Sequence, residues 1–340
     1  MIQRFSSNKV IKVIQYGLGP IGIETAKAVL NRKNLKLVGA IDIDTEKVGK
    51  DIGEVLGLGE KLGIKVTKNP IAVFSKTNAD VMLHTTTSFF RKVYPQLEKG
   101  VKAGLNIISS TEELLLPSLR NPKLAEKLDK LAKKHKVTVL GTGVNPGFVM
   151  DSLVLMMTGV CTDLKKIRVE RVVDAGKRRL PLQKKIGAGI TPEEFYEKAK
   201  TGTFGHIGLL ESLALIAEGL NWKFDEVKET LDPMIADKDY RTKYLEIRTG
   251  HVTGIKHIAR GIIRGEEILT LDLSMYVGAE NPHDAIYIDG TPQVHLIIDG
   301  GIMGDVATVA MLVNAIPKVM AAKPGLVTMK DLPLPSAFLS

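Results

Sequence analysis

Six residues near the start of the chain, Gly17-Leu18-Gly19-Pro20-Ile21-Gly22, have the G-x-G-x-x-G spacing that lets a backbone close on a pyrophosphate. Gly17 allows the tight turn, Gly19 lets backbone N–H groups approach the phosphates, and Gly22 lets a helix pack on the preceding strand. An apolar run ending at Tyr16 precedes the glycines, and a helix-capable stretch, Ile23 to Leu30, follows them. The positive end of that helix then faces the anion. A second apolar run, Leu37 to Ile41, ends on Asp42, where a carboxylate can accept both hydroxyls of an adenosine ribose. Strand, glycines, helix, strand and acid in this order predict a nicotinamide dinucleotide, NAD or NADP. Asp42 repels a 2′-phosphate and Lys47, just beyond, attracts one, so the choice between the two stays open.

Further chemistry sits where open parallel sheets bind ligands, outside the carboxyl ends of the strands. Glu112 and Glu113 directly follow an apolar run there. A carboxylate in that place can activate the water that hydrolyses an imine, or deprotonate an amine. Ser109 with Glu112 and Ser110 with Glu113 both have capping-box spacing, so one acid or both could be helix caps. Glu112 is the favoured catalytic acid because it lies nearer the strand end. Thr85, Thr86, Thr87 and Ser88 would bring hydroxyls and N–H groups to phosphates or the nicotinamide ribose, and Ser110 is assigned to the same cofactor edge. Ordinary turn chemistry is the alternative. Asn145-Pro146-Gly147 is a rigid polar turn suited to holding a carboxamide, or a simple hinge.

These residues need a doubly wound sheet to position them. From Val10 to about Leu140 short apolar strands alternate with helical segments. Strands are expected at Val10–Tyr16, Leu35–Ile41, Val66–Thr67, Ala79–His84, Leu105–Ser109 and Val137–Leu140. The clearest helices are Tyr94–Ala103 and Lys123–Lys134, the latter with Asn121 as cap and Pro122 in its first turn. Beyond Met150–Met157, a helix leading out of the first domain, Ile167–Val173 is strand-like. Thr191 to Glu194 opens a helix with a capping box, and His206–Ala217 is a second helix. Four further runs, His251–Ile263, Ile268–Val277, Ala285–Ile288 and Val294–Ile298, complete an antiparallel sheet. A final amphipathic helix, Val306–Met320, folds back on the first domain. The expected fold is α/β: a Rossmann domain over 1–148, completed by 303–340, with a second α+β domain, mainly antiparallel, over 149–302 for substrate binding and dimerisation.

Composition narrows the partners. The 340 residues are 44% hydrophobic and 25% charged, as in soluble globular proteins. The formal charge of +9 suits an anionic cofactor or substrate. No basic run interleaved with aromatics and no zinc spacing points to nucleic acid. Cys161 is the only cysteine, so neither a disulfide nor a cysteine metal cluster is expected. No apolar run is read as membrane-spanning and no leader is read at the N-terminus, which predicts a cytoplasmic protein without membrane or metal partners.

The segments Gly17–Gly22, His84–Ser88, Ser110–Leu114 and Gly143–Phe148 together resemble the 2,4-diaminopentanoate dehydrogenases and the native amine dehydrogenases close to them. These belong to the dihydrodipicolinate-reductase-like superfamily. The similarity continues through Pro181–Gly189, Gly205–Leu209, Gly304–Thr308 and Asn314–Pro317, nearly the whole chain. The resemblance implies reversible NAD(P)-dependent oxidative deamination of a primary amine, a homodimer, and the glutamate after Thr111 as catalytic acid/base. Dihydrodipicolinate reductase itself carries a His-His segment, and the seven histidines here include no such pair. A ring-imine reductase and a non-enzymatic NAD(P)-binding redox sensor are the other readings. If the substrate is an amino acid, its carboxylate needs a cation. The basic stretch from Lys177 to Lys185 offers Arg178 and Arg179, with Gln183 and His206 as further substrate candidates. A solvated face is the alternative for the loop, and a core or cap position for His206.

Overall fold

A computed structural model of the protein describes residues 10–338. The chain forms two compact units, one made of residues up to Val144 together with those from Gly304 onward, the other of Asn145–Met303.

The first unit opens with the alternation expected of a Rossmann domain. Strands β1 (Ile11–Tyr16), β2 (Leu35–Ile41), β3 (Val66–Thr67), β4 (Val81–His84), β5 (Asn106–Ser109) and β6 (Thr138–Gly141) all pair in parallel. Helices α1 (Pro20–Leu30), α2 (Ile52–Val55), α3 (Pro70–Thr77), α4 (Phe90–Lys102) and α5 (Pro122–His135) connect them. Ile14, Met82, Ile107 and Val139 of the strands pack with Phe90, Val93, Leu97 and Leu128 of α4 and α5 in one buried core. Helix α4 starts a turn before the expected Tyr94, because its Phe90 N–H is capped by a carboxylate from elsewhere, so Pro95 falls inside the helix. Pro122 does start α5 and Asn121 stands at its N-cap, but the Asn121 side chain makes no cap bond: its Oδ1 accepts Arg91 Nε instead.

In the second unit, α6 (Ser152–Thr158) leads into β7 (Asp163–Asp174), followed by α7 (Leu180–Lys185), α8 (Pro192–Ala199) and α9 (Leu209–Leu220). The capping box at Thr191 and Glu194 is present. The strands that follow are β8 (Glu226–Ile235), β9 (Tyr240–Arg241), β10 (Glu246–Ile247), β11 (Val252–Ile263), β12 (Glu266–Tyr276), β13 (His283–Thr291) and β14 (Val294–Asp299). Five of these join β7 in a six-stranded sheet of order β14-β13-β7-β12-β11-β8. The sheet is mainly antiparallel, as expected, but not wholly so: β7 and β12 at its centre run parallel, which makes it mixed. Helix α9 packs on β11 and β12. His206 is not in it: the helix begins at Leu209, after Gly208 in a left-handed conformation (φ 108°).

The chain then re-enters the first unit. The single final helix expected is two, α10 (Gly304–Asn314) and α11 (Ile316–Ala321), and a last strand β15 (Gly325–Val327) pairs with β6. Among the described residues Gly304–Ala321 is long and apolar enough to cross a membrane, contrary to the sequence reading. It is broken at Ala315, packs on α1, β5 and β6, and buries Leu312, Val313, Ile316 and Val319, as a core element does. The completed seven-stranded order is β15-β6-β5-β4-β1-β2-β3, and it reverses direction between β1 and β4. That switch point is where open α/β sheets bind ligands.

Candidate active site

Three glycines line the turn after β1, each for a different reason. Gly17 has φ 91°, and a Cβ on it would stand 2.4 Å from the Thr85 carbonyl oxygen at the end of β4. A Cβ on Gly22 would stand 1.9 Å from the Gly17 carbonyl oxygen, so α1 packs directly on the turn. Gly19 is different: nothing lies within 4 Å of where its Cβ would be. It is the N-cap of α1, with no side chain on the helix's first N–H groups. A helix N-terminus left open beside empty space fits a dinucleotide pyrophosphate. Leu18, Pro20 and Ile21 contribute backbone to this turn.

The loop is braced from below. Gln15 is fully buried, and its Nε2 donates to the Gly17 carbonyl at 2.9 Å and to Thr85 Oγ1 at 2.8 Å. Thr85 Oγ1 in turn donates to the Gly17 carbonyl at 2.9 Å. Thr85 therefore shapes the glycine turn with the hydroxyl that the sequence reading assigns to the cofactor. Asp42 does a similar job: one carboxylate oxygen accepts the Leu18 N–H, and the other accepts the Asp44 N–H at 2.8 Å.

At the ends of β4 and β5, His84 is a hub. Its ring is wholly buried, with Nδ1 2.8 Å from Ser109 Oγ and Nε2 2.7 Å from Gln96 Oε1. Burial pushes it down to about 4, so the ring is neutral near pH 7. Thr86 Oγ1 donates to the same Gln96 oxygen at 3.0 Å, and its residue is exposed. Thr111 Oγ1 donates to the Thr87 carbonyl at 2.8 Å. The Ser110 N–H donates to the His84 carbonyl at 3.0 Å. The two loops are thus one rigid edge.

Glu112 and Glu113 open a short 3₁₀ turn, Glu112–Leu115, on this edge. Neither expected capping box forms, and no side chain caps the turn at Thr111. Ser109 is turned instead toward His84 and Thr111. Glu113 Oε2 accepts the Phe90 N–H at 2.7 Å, so this carboxylate caps α4, in a different part of the sequence. Its neighbour Glu112 is half-buried.

In the second unit, Asn145 precedes Pro146 through a cis peptide bond, and both polar atoms of its amide are buried without a partner among the described residues. Asp151, fully buried, fixes this turn by accepting the Gly147 N–H at 2.8 Å and Ser212 Oγ of α9 at 2.7 Å. Burial raises its pKa above the usual carboxylate range despite those bonds. Gln183 is also fully buried: its Nε2 donates to the Ala175 and Arg178 carbonyls at 3.1 and 2.9 Å, and its Oε1 accepts Thr242 Oγ1 at 3.0 Å. Its amide holds the loop that carries Arg178 and Arg179, both half-buried. His206 lies with its Nε2 buried and without a partner among the described residues, its ring 6.3 Å from that of His257 by centroids. Burial, and then the charges of Lys185, His257 and Arg171, push it well below the usual histidine range.

Sequence reasoning missed His84, Asp151 and Arg171. Arg171 is almost wholly buried, bonding to Asp284 Oδ1 and, at 2.7 Å, to the Ile302 carbonyl. A signal for it existed: it continues the buried row Ile167, Val169 along β7, where an apolar side chain belongs. Among the described residues no cluster of histidine, cysteine, aspartate or glutamate could hold a metal.

Comparison with known proteins places both halves of the chain. The profile of the 2,4-diaminopentanoate dehydrogenase C-terminal domain matches residues 148–340, and that of the dihydrodipicolinate reductase N-terminus matches 11–141. The chain is 33% identical to 2,4-diaminopentanoate dehydrogenase of Acetoanaerobium sticklandii, over 97% of this chain and 95% of that protein. It is 23% identical to an amine dehydrogenase of Streptomyces virginiae, over 96% and 97% of the two chains. The solved amine dehydrogenase of Mycobacterium smegmatis superposes with a TM-score of 0.87 at 26% identity, covering 98% of each chain. The chain belongs to the 2,4-diaminopentanoate dehydrogenase family, NAD(P)-dependent oxidoreductases whose first domain is a Rossmann fold.

Proposed function

We propose that the protein catalyses the reversible oxidative deamination of 2,4-diaminopentanoate, or of a closely related primary amine, to 2-amino-4-oxopentanoate and ammonia. The observation that carries this reading is the shared edge of the first sheet. A dinucleotide turn follows β1, and an acid, Glu112, follows β5 beside a neighbour that is committed to capping α4.

A bound nicotinamide supplies the acceptor for the hydride that leaves the amine carbon. The chain's own residues do the rest. Gly17, Gly19, Gly22 and the N-terminus of α1 hold the pyrophosphate, Asp42 the adenosine ribose, and Thr86, Thr87 and Ser110 the remaining polar groups. The Asn145 amide, with donor and acceptor both unmatched, offers what a carboxamide requires. Glu112 takes a proton from the water that adds to the iminium carbon, and returns it to the departing ammonia. Arg178 and Arg179 pair with the substrate carboxylate, because a carboxylate leaving water needs a cationic partner. His206, held neutral, adds a hydrogen bond rather than a charge. A homodimer in the cytoplasm goes with this reading, and light scattering of the purified protein checks the first of these.

The test is to incubate the protein with ammonia, NADH or NADPH, and a panel of carbonyl compounds. Turnover of 2-amino-4-oxopentanoate is expected. Turnover of a cyclic imine alone would make the protein a ring-imine reductase, and tight dinucleotide binding without turnover would make it a sensor.

A further inference from the structure

The turn after β2 carries two carboxylates and an internally paired lysine, where the fold sets the adenosine ribose. Asp42 Oδ1 accepts the Asp44 N–H at 2.8 Å, which joins both acids in one turn. Asp44 Oδ2 lies 2.8 Å from Lys47 Nζ, and Asp44 Oδ1 accepts the Glu46 N–H at 3.0 Å. The Lys47 N–H returns to the Asp44 carbonyl at 3.0 Å, so the lysine is held to this acid by backbone and side chain alike. The Asp44 side chain is 41% exposed, and the Lys47 hydrogen bond keeps its carboxyl below the usual range, hence ionised at neutral pH.

A 2′-phosphate on the ribose would add about two negative charges at this turn. Two acids oppose it, and the lysine best placed to attract it is already matched. We propose that Asp44 sets the site's preference toward NAD, by holding Lys47 in an ion pair that a 2′-phosphate would otherwise take. The inference rests on the dinucleotide reading of the glycine turn, and extends it to a residue that decides which dinucleotide is accepted.

The test needs no substrate: NADH and NADPH are titrated against the full chain by their own fluorescence. Asp44→Ser removes the charge and keeps an oxygen for the Glu46 N–H. The NADPH dissociation constant should fall by about two- to fivefold, the worth of one exposed charge pair, while that for NADH changes less than that. Asp44→Asn, closer in volume, should move the ratio in the same direction. Adding Lys47→Ala to Asp44→Ser should return NADPH affinity to the starting value. An unchanged ratio in both Asp44 variants overturns the proposal, and so does a gain that survives Lys47→Ala. Failure of the unsubstituted protein to bind either dinucleotide would be a different result, since it sinks the dinucleotide reading itself.

Discussion

Alanine at Gly22 and alanine at Gly19 should damage the protein in different ways, although the two positions are three residues apart. A Cβ at Gly22 would lie 1.9 Å from the Gly17 carbonyl oxygen and 2.7 Å from Thr85 Oγ1, against an ordinary contact of 3.4 Å or more. The helix would have to retreat by about 1.5 Å from a turn that β4 blocks on its other side. Overpacking of this kind costs about 1–3 kcal/mol, and the upper end applies because the obstacle is backbone. At Gly19 the backbone is ordinary, φ −66°, and no atom lies within 4 Å of the new methyl. The structural cost is then only that of a poorer N-cap, about 1 kcal/mol or less. The methyl does, however, occupy the space assigned to the pyrophosphate. Gly19→Ala should therefore unfold in urea almost as the unsubstituted protein does, yet bind NADH at least about tenfold more weakly, a loss of about 1.4 kcal/mol. Gly22→Ala should lose about 2–3 kcal/mol in the same denaturation experiment. Unaltered NADH affinity in Gly19→Ala would refute the placement of the phosphates. Unaltered stability in Gly22→Ala would refute the close packing of α1 on the turn.

Glu112→Gln should cut turnover by about two to four orders of magnitude and leave dinucleotide affinity in place. Glu113→Ala should keep turnover but lose about 1–2 kcal/mol, since it removes the charged cap on Phe90 of α4; if steady-state rates and denaturation midpoints come out reversed, the two roles swap, and if neither variant loses activity the acid/base mechanism fails. Neutralising Arg178 or Arg179 should raise the Michaelis constant for 2,4-diaminopentanoate and spare 2-aminopentane, whereas equal losses on both would return the loop to solvent. Folded stability should also fall in acid. His84 titrates near 6.5 when unfolded and at about 4 when folded, so the unfolded chain binds the extra proton between those values. The contribution is whole above about pH 6.5 and is lost as pH falls to about 4, by about 3 kcal/mol, with His206 acting in the same direction. A urea midpoint that stays flat from pH 7 to pH 5 would contradict it.

The Rossmann half was legible because its longer strands are apolar runs with glycine or a small polar residue behind them, as at Tyr16–Gly17, His84–Thr85, Ser109–Ser110 and Gly141–Thr142; β15, three residues long and remote in sequence, was not foreseen. The second sheet was harder. Strand β8 went unseen because it is an edge strand: most of its residues are exposed, and Pro233 within it is tolerated only at an edge. The parallel pairing of β7 with β12 leaves no trace in alternation, which fixes the face of a residue but not the direction of its neighbour. At the site, the glycines could be assigned from spacing alone. The division of labour between Glu112 and Glu113 could not, because the N–H that claims Glu113 belongs to Phe90, 23 residues away in sequence. The bracing role of Gln183 was hidden for the same reason, since its partners are carbonyls of a loop whose path the sequence does not announce.

The return of the chain to its first unit bears on how the protein is made. Helix α10 packs on α1, and β15 adds the last strand to the parallel sheet, with Leu326 N–H bonded to Asp129 Oδ1 and Thr138 Oγ1 to the Lys323 carbonyl. A ribosome releases the segment up to Val144 long before it reaches Gly304. At roughly 5–20 residues per second, the ~160 residues between them take about ten to thirty seconds to synthesise. During that interval the nascent dinucleotide domain has β6 as a bare parallel edge and an uncovered apolar stripe on α1, both suited to wrong partners. The second unit, continuous in sequence, can fold in the meantime. The unit whose synthesis begins first is therefore the one completed last.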